Sequence, residues 1–278
     1  MAVILDGKKL SEKILEELKQ KIAKGDKKPT LCVIQVGDDY ASTIYVNRKG
    51  KIANEIGINS RIVRLDADTS EEKLLSTIQE MNKNPEITGI LVQLPLPKGI
   101  NTSKIIDAID YKKDVDGFSV YNTGALAQGR EPLSYPCTPK GVLELLKEYN
   151  ISVEGKHAVV LGRSNIVGRP LALMLLNQNA TVTICHSRTK NLKEITKTAD
   201  ILISAVGKPK FVTKDMVKEG ACVIDVGINR LSSGKLAGDV DFEEVAPVCE
   251  YITPVPGGVG AMTIAMLMQN TVELFSKK

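Results

Sequence analysis

Tyr45 and Lys49 stand four residues apart in a stretch, 41–56, whose pattern predicts a helix, so both side chains project from one face. Pairs at this spacing are common, and alone this one reads as a surface pair. Two strand ends add weight to it. Gln93 tips the apolar run 87–94, and Asp116 lies in the turn Lys113-Asp114-Val115-Asp116-Gly117; open α/β sheets bind ligands at such ends. A lysine that moves protons needs partial desolvation. A neutral glutamine can orient its amine without fixing it in the charged form, as a carboxylate would.

A second arrangement lies further along. His157-Ala158-Val159-Val160-Leu161 runs into Gly162-Arg163-Ser164 and then, from Gly168, an apolar helical pattern. A strand, a glycine turn and a helix in that order aim unpaired helix amides and the positive end of the dipole at a phosphate. The spacing is a variant of the dinucleotide turn rather than G-x-G-x-x-G. An NAD-preferring site usually places an acid at the end of the next strand to hold the ribose 2′-hydroxyl. Here that strand ends in His186-Ser187-Arg188. Arg163, Ser187 and Arg188 can hold a 2′-phosphate through charge-assisted bonds, so NADP is the expected cofactor.

Composition removes other chemistries. Two histidines, with no H-E-x-x-H or calcium-loop spacing, argue against a metal site, and no G-x-S-x-G elbow supports a serine nucleophile. The net charge of +4 is scattered, and 4% aromatic residues without tryptophan make a poor nucleic-acid platform. Five cysteines, an odd number without C-x-x-C, read as buried thiols in a reducing compartment. The apolar run 2–5 is too short for a signal peptide, and no stretch reaches the ~18 apolar residues of a membrane helix. A cytoplasmic protein without a membrane partner is expected.

The elements that must position these residues alternate in type. Helices are predicted at 10–22, 41–56, 70–82, 102–109, 139–149, 168–178, 192–197, 214–219 and 262–275. Strands are predicted at 30–36, 59–65, 87–94, 156–161, 180–185, 201–206, 222–226 and 251–253, with a loop over 122–139. Strands that alternate with helices imply parallel sheets with crossover helices, an α/β fold. At 278 residues, with 43% hydrophobic and 25% charged, the expectation is two open α/β domains separated by a cleft. The first spans 1–121, with a C-terminal helix 261–278 packing back on it; the second, 122–260, is Rossmann-like and binds NADP.

Five segments recur together: Tyr45-Val46-Asn47-Arg48-Lys49, Val92-Gln93-Leu94-Pro95-Leu96-Pro97, Lys113-Asp114-Val115-Asp116-Gly117-Phe118, Gly162-Arg163-Ser164 and Pro254-Val255-Pro256-Gly257-Gly258-Val259-Gly260. In this order the chain resembles the bifunctional methylenetetrahydrofolate dehydrogenase/methenyltetrahydrofolate cyclohydrolase family. The resemblance implies NADP-dependent oxidation of 5,10-methylenetetrahydrofolate and hydrolysis of the product to 10-formyltetrahydrofolate, within one-carbon metabolism. It implies Lys49 as the acid–base group, Gln93 holding it, Tyr45 stacking on the folate and Asp116 accepting from pterin N–H groups. Folate contacts would also come from Val92, Leu94, Pro256, Gly257, Gly258 and Gly260, and NADP contacts from Gly162, Arg163, Ser164, Ser187 and Ile228. A homodimer joined through the second domain is expected, with no metal.

One departure is visible: Ala261 stands where the family usually has proline, which would relax the glycine loop and bear on substrate affinity. Among alternatives, a monofunctional NAD(P)-dependent methylenetetrahydrofolate dehydrogenase is disfavoured by Lys49, Gln93 and Asp116 together. A non-catalytic nucleotide-binding protein is disfavoured by Lys49. An amino-acid or shikimate-type dehydrogenase is disfavoured by the Asp-Val-Asp-Gly and Pro-Gly-Gly-Val-Gly segments.

Overall fold

Short apolar runs that stop at glycine or proline become parallel strands in the computed structural model, which describes residues 2–277. A two-residue strand, β1 (Val3–Ile4), leads into α1 (Gly7–Ala23), where Asp6 Oδ1 accepts from the Lys9 amide at 2.9 Å and Leu10, Leu18 and Ile22 turn inward. β2 (Thr30–Val36), α2 (Tyr40–Glu55) and β3 (Asn59–Leu65) form a first crossover unit. α3 (Glu71–Lys83) starts where Ser70 Oγ accepts from the Lys73 amide, and it buries Leu74, Ile78 and Met81 at helical spacing. Burying each of those side chains stabilises the unit by roughly 2 kcal/mol. β4 (Gly89–Val92) and α4 (Thr102–Asp107) follow.

The region expected to be a loop holds α5 (Val120–Ala127) and the start of α6 (Cys137–Glu148). Then come β5 (His157–Leu161), α7 (Gly168–Leu176), β6 (Thr181–Cys185), α8 (Leu192–Thr196) and β7 (Ile201–Ser204). The predicted helix 214–219 is only a 3₁₀ turn, Lys214–Met216, because Val217 turns extended and both Met216 and Val217 enter the core. β8 (Cys222–Asp225), the hairpin of β9 (Asn229–Arg230) and β10 (Leu236–Ala237), α9 (Phe242–Val245), β11 (Tyr251–Ile252) and α10 (Val259–Ser276) complete the chain. No helix among the described residues is long and apolar enough to cross a membrane.

The chain divides into two compact units. One comprises Lys13–Ala125, Glu131–Tyr135 and the stretch from Leu267 onward; the other comprises the stretch to Glu12, Leu126–Arg130 and Pro136–Met266. The expected division, 1–121 with 261–278 against 122–260, therefore differs most at the start of the chain, and in α10 it shifts from 260 to 266. β1 pairs in parallel with β11, so residues before Glu12 belong with the second sheet. At the other end, Asn270 Nδ2 donates to the carbonyls of Val115 and Tyr135, each at 2.8 Å, which ties the last part of α10 into the first unit.

The first unit carries a parallel sheet in the order β3-β2-β4. Cys32, Ile34, Ile90 and Val92 on one sheet face pack with Leu74, Ile78 and Ile105 of α3 and α4. In the second unit six parallel strands run β1-β11-β8-β7-β5-β6. Each sheet reverses its winding beside its first long strand, between β2 and β4 and between β5 and β7. The carboxyl ends at such switch points are where an open α/β sheet leaves room for a ligand.

Candidate active site

At the first switch point, α2 presents its functional face because both of its ends are fixed. Asp39 caps it, accepting from the Ser42 amide at 2.8 Å, and this bond holds the Asp39 carboxyl below the usual carboxylate range. Further along, Gly50 lets the helix lie against β3: a Cβ there would stand 3.0 Å from Ile62 Cδ1. Tyr45 remains 37% exposed, while Lys49 one turn later is half-buried. Lys49 Nζ donates to Gln93 Oε1 at 2.9 Å, and Gln93 Nε2 donates to the Leu94 carbonyl at 2.6 Å. The second bond fixes which end of the amide faces the lysine. Val92 is buried behind Gln93, Leu94 is half-buried, and the Leu94–Pro95 bond is cis.

Asp116 is half-buried in a turn whose shape is set by its neighbours. The buried Asp114 carboxylate accepts from the Gly117 amide at 2.9 Å, the Ser119 amide at 2.8 Å and Asn122 Nδ2 at 3.0 Å. Lys113 Nζ reaches the other way and donates to the carbonyls of Met81, Asn82 and Asn84 at the end of α3. The glycine opening β4 completes the support, since a Cβ on Gly89 would overlap the Val115 side chain.

At the second switch point the turn needs its glycines for backbone packing. Gly162 has φ +118°, and a Cβ there would lie 2.5 Å from the Ala205 carbonyl oxygen; on Gly168 it would overlap the Gly162 carbonyl. Ser164 Oγ accepts from the amides of Val167 and Gly168, and the Ser164 carbonyl accepts from the Arg169 amide. The expectation of unpaired helix amides is thus corrected at these positions: the serine of the motif caps α7 itself.

A cavity of about 300 Å³ opens at the ends of β5, β6 and β7. Its lining is partly apolar, with Leu161, Ala205 and Phe211, and its polar part includes Arg163, His186, Ser187 and Lys208 but no carboxylate. His186 shapes this part: its amide donates to Thr189 Oγ1 at 2.8 Å and its Nδ1 accepts from the Arg188 amide at 3.1 Å. An apolar lining with cationic groups and no carboxylate fits an adenosine bearing a 2′-phosphate. Arg188 is not among the lining residues.

The glycine turn before α10 has its own packing reasons. Gly257 adopts φ +103° after a cis Val255–Pro256 bond, and its carbonyl accepts from the Lys8 amide at 2.8 Å. A Cβ on Gly258 would stand 2.5 Å from the Pro254 carbonyl oxygen, and one on Gly260 would stand 2.7 Å from Ile228 Cδ1. Ile228 and Gly260 are therefore neighbours. α10 begins earlier than predicted, so Ala261 already lies in its first turn and donates its amide to the Gly258 carbonyl at 3.2 Å. Proline would forgo that bond.

Comparison with known proteins divides the chain once, between residues 116 and 136. Residues 5–116 match the family profile "Tetrahydrofolate dehydrogenase/cyclohydrolase, catalytic domain", and residues 136–278 match "Tetrahydrofolate dehydrogenase/cyclohydrolase, NAD(P)-binding domain". The chain belongs to the tetrahydrofolate dehydrogenase/cyclohydrolase family. It is 57% identical over 272 residues to the bifunctional protein FolD of Campylobacter concisus, covering 97% of this chain and 96% of that relative. The solved FolD dehydrogenase/cyclohydrolase of Campylobacter jejuni superposes with a TM-score of 0.97 at 51% identity, covering 100% of both chains. The Trypanosoma brucei FolD, solved with NADP cofactor and an inhibitor, gives 0.95 at 37% identity, covering 99% of this chain and 98% of that one.

In this tetrahydrofolate dehydrogenase/cyclohydrolase, the structure joins Lys49 to Gln93 and places Gly162, Arg163 and Ser187 around one cavity. Ser164 Oγ accepts from the amides at the start of α7, and Ile228 packs by Gly260. The sequence reading missed Lys113 and Asp114 as supports for Asp116, although both lie in the quoted motif. It also missed a buried pair, Asp225 at the end of β8 and Asp239 after β10.

Burial pushes the Asp225 carboxyl up to about 6, outweighing the amides of Val240, Asp239 and Gly227 that favour its charged form; the Asp239 charge pushes the same way. A carboxyl whose folded pKa lies above its unfolded value stabilises the fold at low pH, and that contribution is lost as pH rises through the folded pKa. The melting temperature of Asp225→Asn relative to wild type should therefore rise from about pH 4 to about pH 6. A difference constant with pH in thermal melts would refute this.

Proposed function

We infer that the chain is a bifunctional enzyme of one-carbon metabolism. It oxidises 5,10-methylenetetrahydrofolate to the 5,10-methenyl cation with NADP⁺ and hydrolyses that cation to 10-formyltetrahydrofolate. The observation that carries this reading is the Lys49–Gln93 pair at a sheet switch point, in a chain that matches both domains of the family. NADP⁺ accepts the hydride when bound.

Lys49 moves the protons of the second reaction. Its amine takes one proton from the water that adds to the methenyl carbon and returns it to the ring nitrogen as the C–N bond breaks; the second water proton leaves to solvent as the carbinol becomes the formyl carbonyl. Gln93 holds that amine toward the substrate, and its bond to the Leu94 carbonyl supports this role. Tyr45, with an exposed ring, stacks on the folate, and Asp116 accepts from pterin N–H groups, as suits an acceptor-only carboxylate. Val92, Leu94, Pro256, Gly257, Gly258 and Gly260 complete the folate set by family likeness. Gly162, Arg163, Ser164, Ser187 and Ile228 serve the cofactor; the Ser164 hydroxyl, which accepts from two amides, keeps its O–H to donate to a phosphate.

The reading includes a homodimer joined through the nucleotide unit, which the open edge at β6 with Ile184 exposed supports. It includes the cytoplasm, which five buried free thiols support. The direct test supplies methylenetetrahydrofolate with NADP⁺ or NAD⁺ and follows formation and decay of the methenyl chromophore. NADP⁺ should serve better, with the chromophore decaying faster than without enzyme; enzyme-independent decay would overturn the second activity.

Arg163→Ala isolates the phosphate. A charge-assisted bond is worth about 1.5–3 kcal/mol, so KM for NADP⁺ should rise roughly 10- to 100-fold while that for NAD⁺ changes little. Equal effects on both dinucleotides would remove Arg163 from that role.

A further inference from the structure

At the end of β7 three consecutive amides converge on one side chain. Val206 N and Gly207 N donate to Asp239 Oδ2 at 2.7 and 3.1 Å, and Lys208 N donates to Oδ1 at 2.9 Å. The same carboxylate accepts from Ser204 Oγ at 3.3 Å and Asn229 Nδ2 at 2.9 Å. Asp239 is fully buried. Successive amides gathered around an anion make a nest, a geometry in which loops hold phosphate groups. Here the chain's own carboxylate fills the nest, so the loop is shaped before any ligand arrives.

That loop borders the cavity. Val206 and Lys208 both line it, and Lys208 Nζ stands 5.7 Å from the ring centroid of Phe211, another lining residue. Asp239 is fixed in turn by Asp225, whose Oδ1 accepts from the Asp239 and Gly227 amides at 2.9 Å each and whose Oδ2 accepts from the Val240 amide at 2.8 Å. The fit leaves no slack: a Cβ on Gly227 would overlap the Asp239 carboxylate, and one on Gly238 the Asp225 carboxylate.

We propose that Asp239 is a positioning residue for dinucleotide binding: by gathering the amides of residues 206–208 it holds Lys208 where its ammonium meets an anionic group of the dinucleotide. The proposal rests on the NADP reading above. Asparagine at 239 keeps the shape but replaces one accepting oxygen by a donor, so at least one amide loses its partner. Cyclohydrolase turnover of preformed methenyl substrate needs no nucleotide and serves as an internal control.

The test measures NADP⁺ binding by calorimetry and amide hydrogen exchange of residues 205–208 without nucleotide, in wild type and Asp239→Asn. Expected are at least about tenfold weaker NADP⁺ binding and at least about tenfold faster exchange. The dehydrogenase kcat at saturating NADP⁺ should stay within about threefold, and cyclohydrolase turnover within about twofold. Wild-type affinity in Asp239→Asn overturns the proposal. If that variant fails to fold, Lys208→Gln decides: a loss of NADP⁺ affinity of about threefold or more supports the proposal, and an unchanged affinity overturns it. A wild-type chain that binds no NADP⁺ overturns the cofactor reading along with it.

Discussion

Lys49→Met should lower hydrolysis of the methenyl ring by about 10³-fold or more, read as persistence of the methenyl chromophore, while NADP⁺ affinity and melting temperature stay close to wild type. General acid–base catalysis contributes about 10²–10⁴-fold, and Lys49 is the group assigned to it. Its hydrogen bond to Gln93 at 2.9 Å is to a neutral partner, and among the described residues no carboxylate pairs with its ammonium. Methionine keeps the length and apolar stem of lysine, so only the proton carrier is lost. A variant that hydrolyses at the wild-type rate would remove Lys49 from the mechanism.

Asp114→Asn should raise KM for the folate about 10- to 100-fold and lower stability by about 1–3 kcal/mol, with NADP⁺ affinity unchanged. The buried carboxylate accepts from three donors, and asparagine converts one accepting oxygen to a donor. Leaving a buried donor unpaired costs about 1–3 kcal/mol. The kinetic effect arises because Asp116 lies between Asp114 and one of its bonded amides, Gly117. Denaturant melts measure the first consequence and steady-state kinetics with saturating NADP⁺ the second. A destabilised variant with an unchanged folate KM would make Asp114 a support of the fold alone.

Elements that bury a regular pattern were legible. The period of Leu74, Ile78 and Met81, begun by Ser70, marked α3, and the apolar run 30–36 marked β2 to the residue. What escaped was structure made by tertiary pairing. β1 and the β9–β10 hairpin are two-residue strands with too few positions to show alternation. α5 sits in a segment whose Asn122 is committed to Asp114 and to the amides of Leu133 and Ser134. The site divides in the same way. Lys49, Gln93 and Asp116 were legible as motif residues, whereas Asp239 works through bonds to residues 31–35 positions away in sequence. Ser164 shows the converse: its place in a phosphate-type motif was plain, but only coordinates reveal that its hydroxyl serves the helix amides.

The pairing of β1 with β11 has a bearing on biosynthesis. In a growing chain Val3 and Ile4 emerge well before their partners Tyr251 and Ile252. The unit containing Lys49 likewise awaits the segment from Leu267, whose Asn270 ties down Val115. Neither sheet's surroundings can be completed in the order of emergence, so final folding of both waits for those distant segments, with the entropy of the long closures borne at that stage. Dissecting the gene at the midpoint between the two units would consequently strand a required piece of each on the wrong fragment.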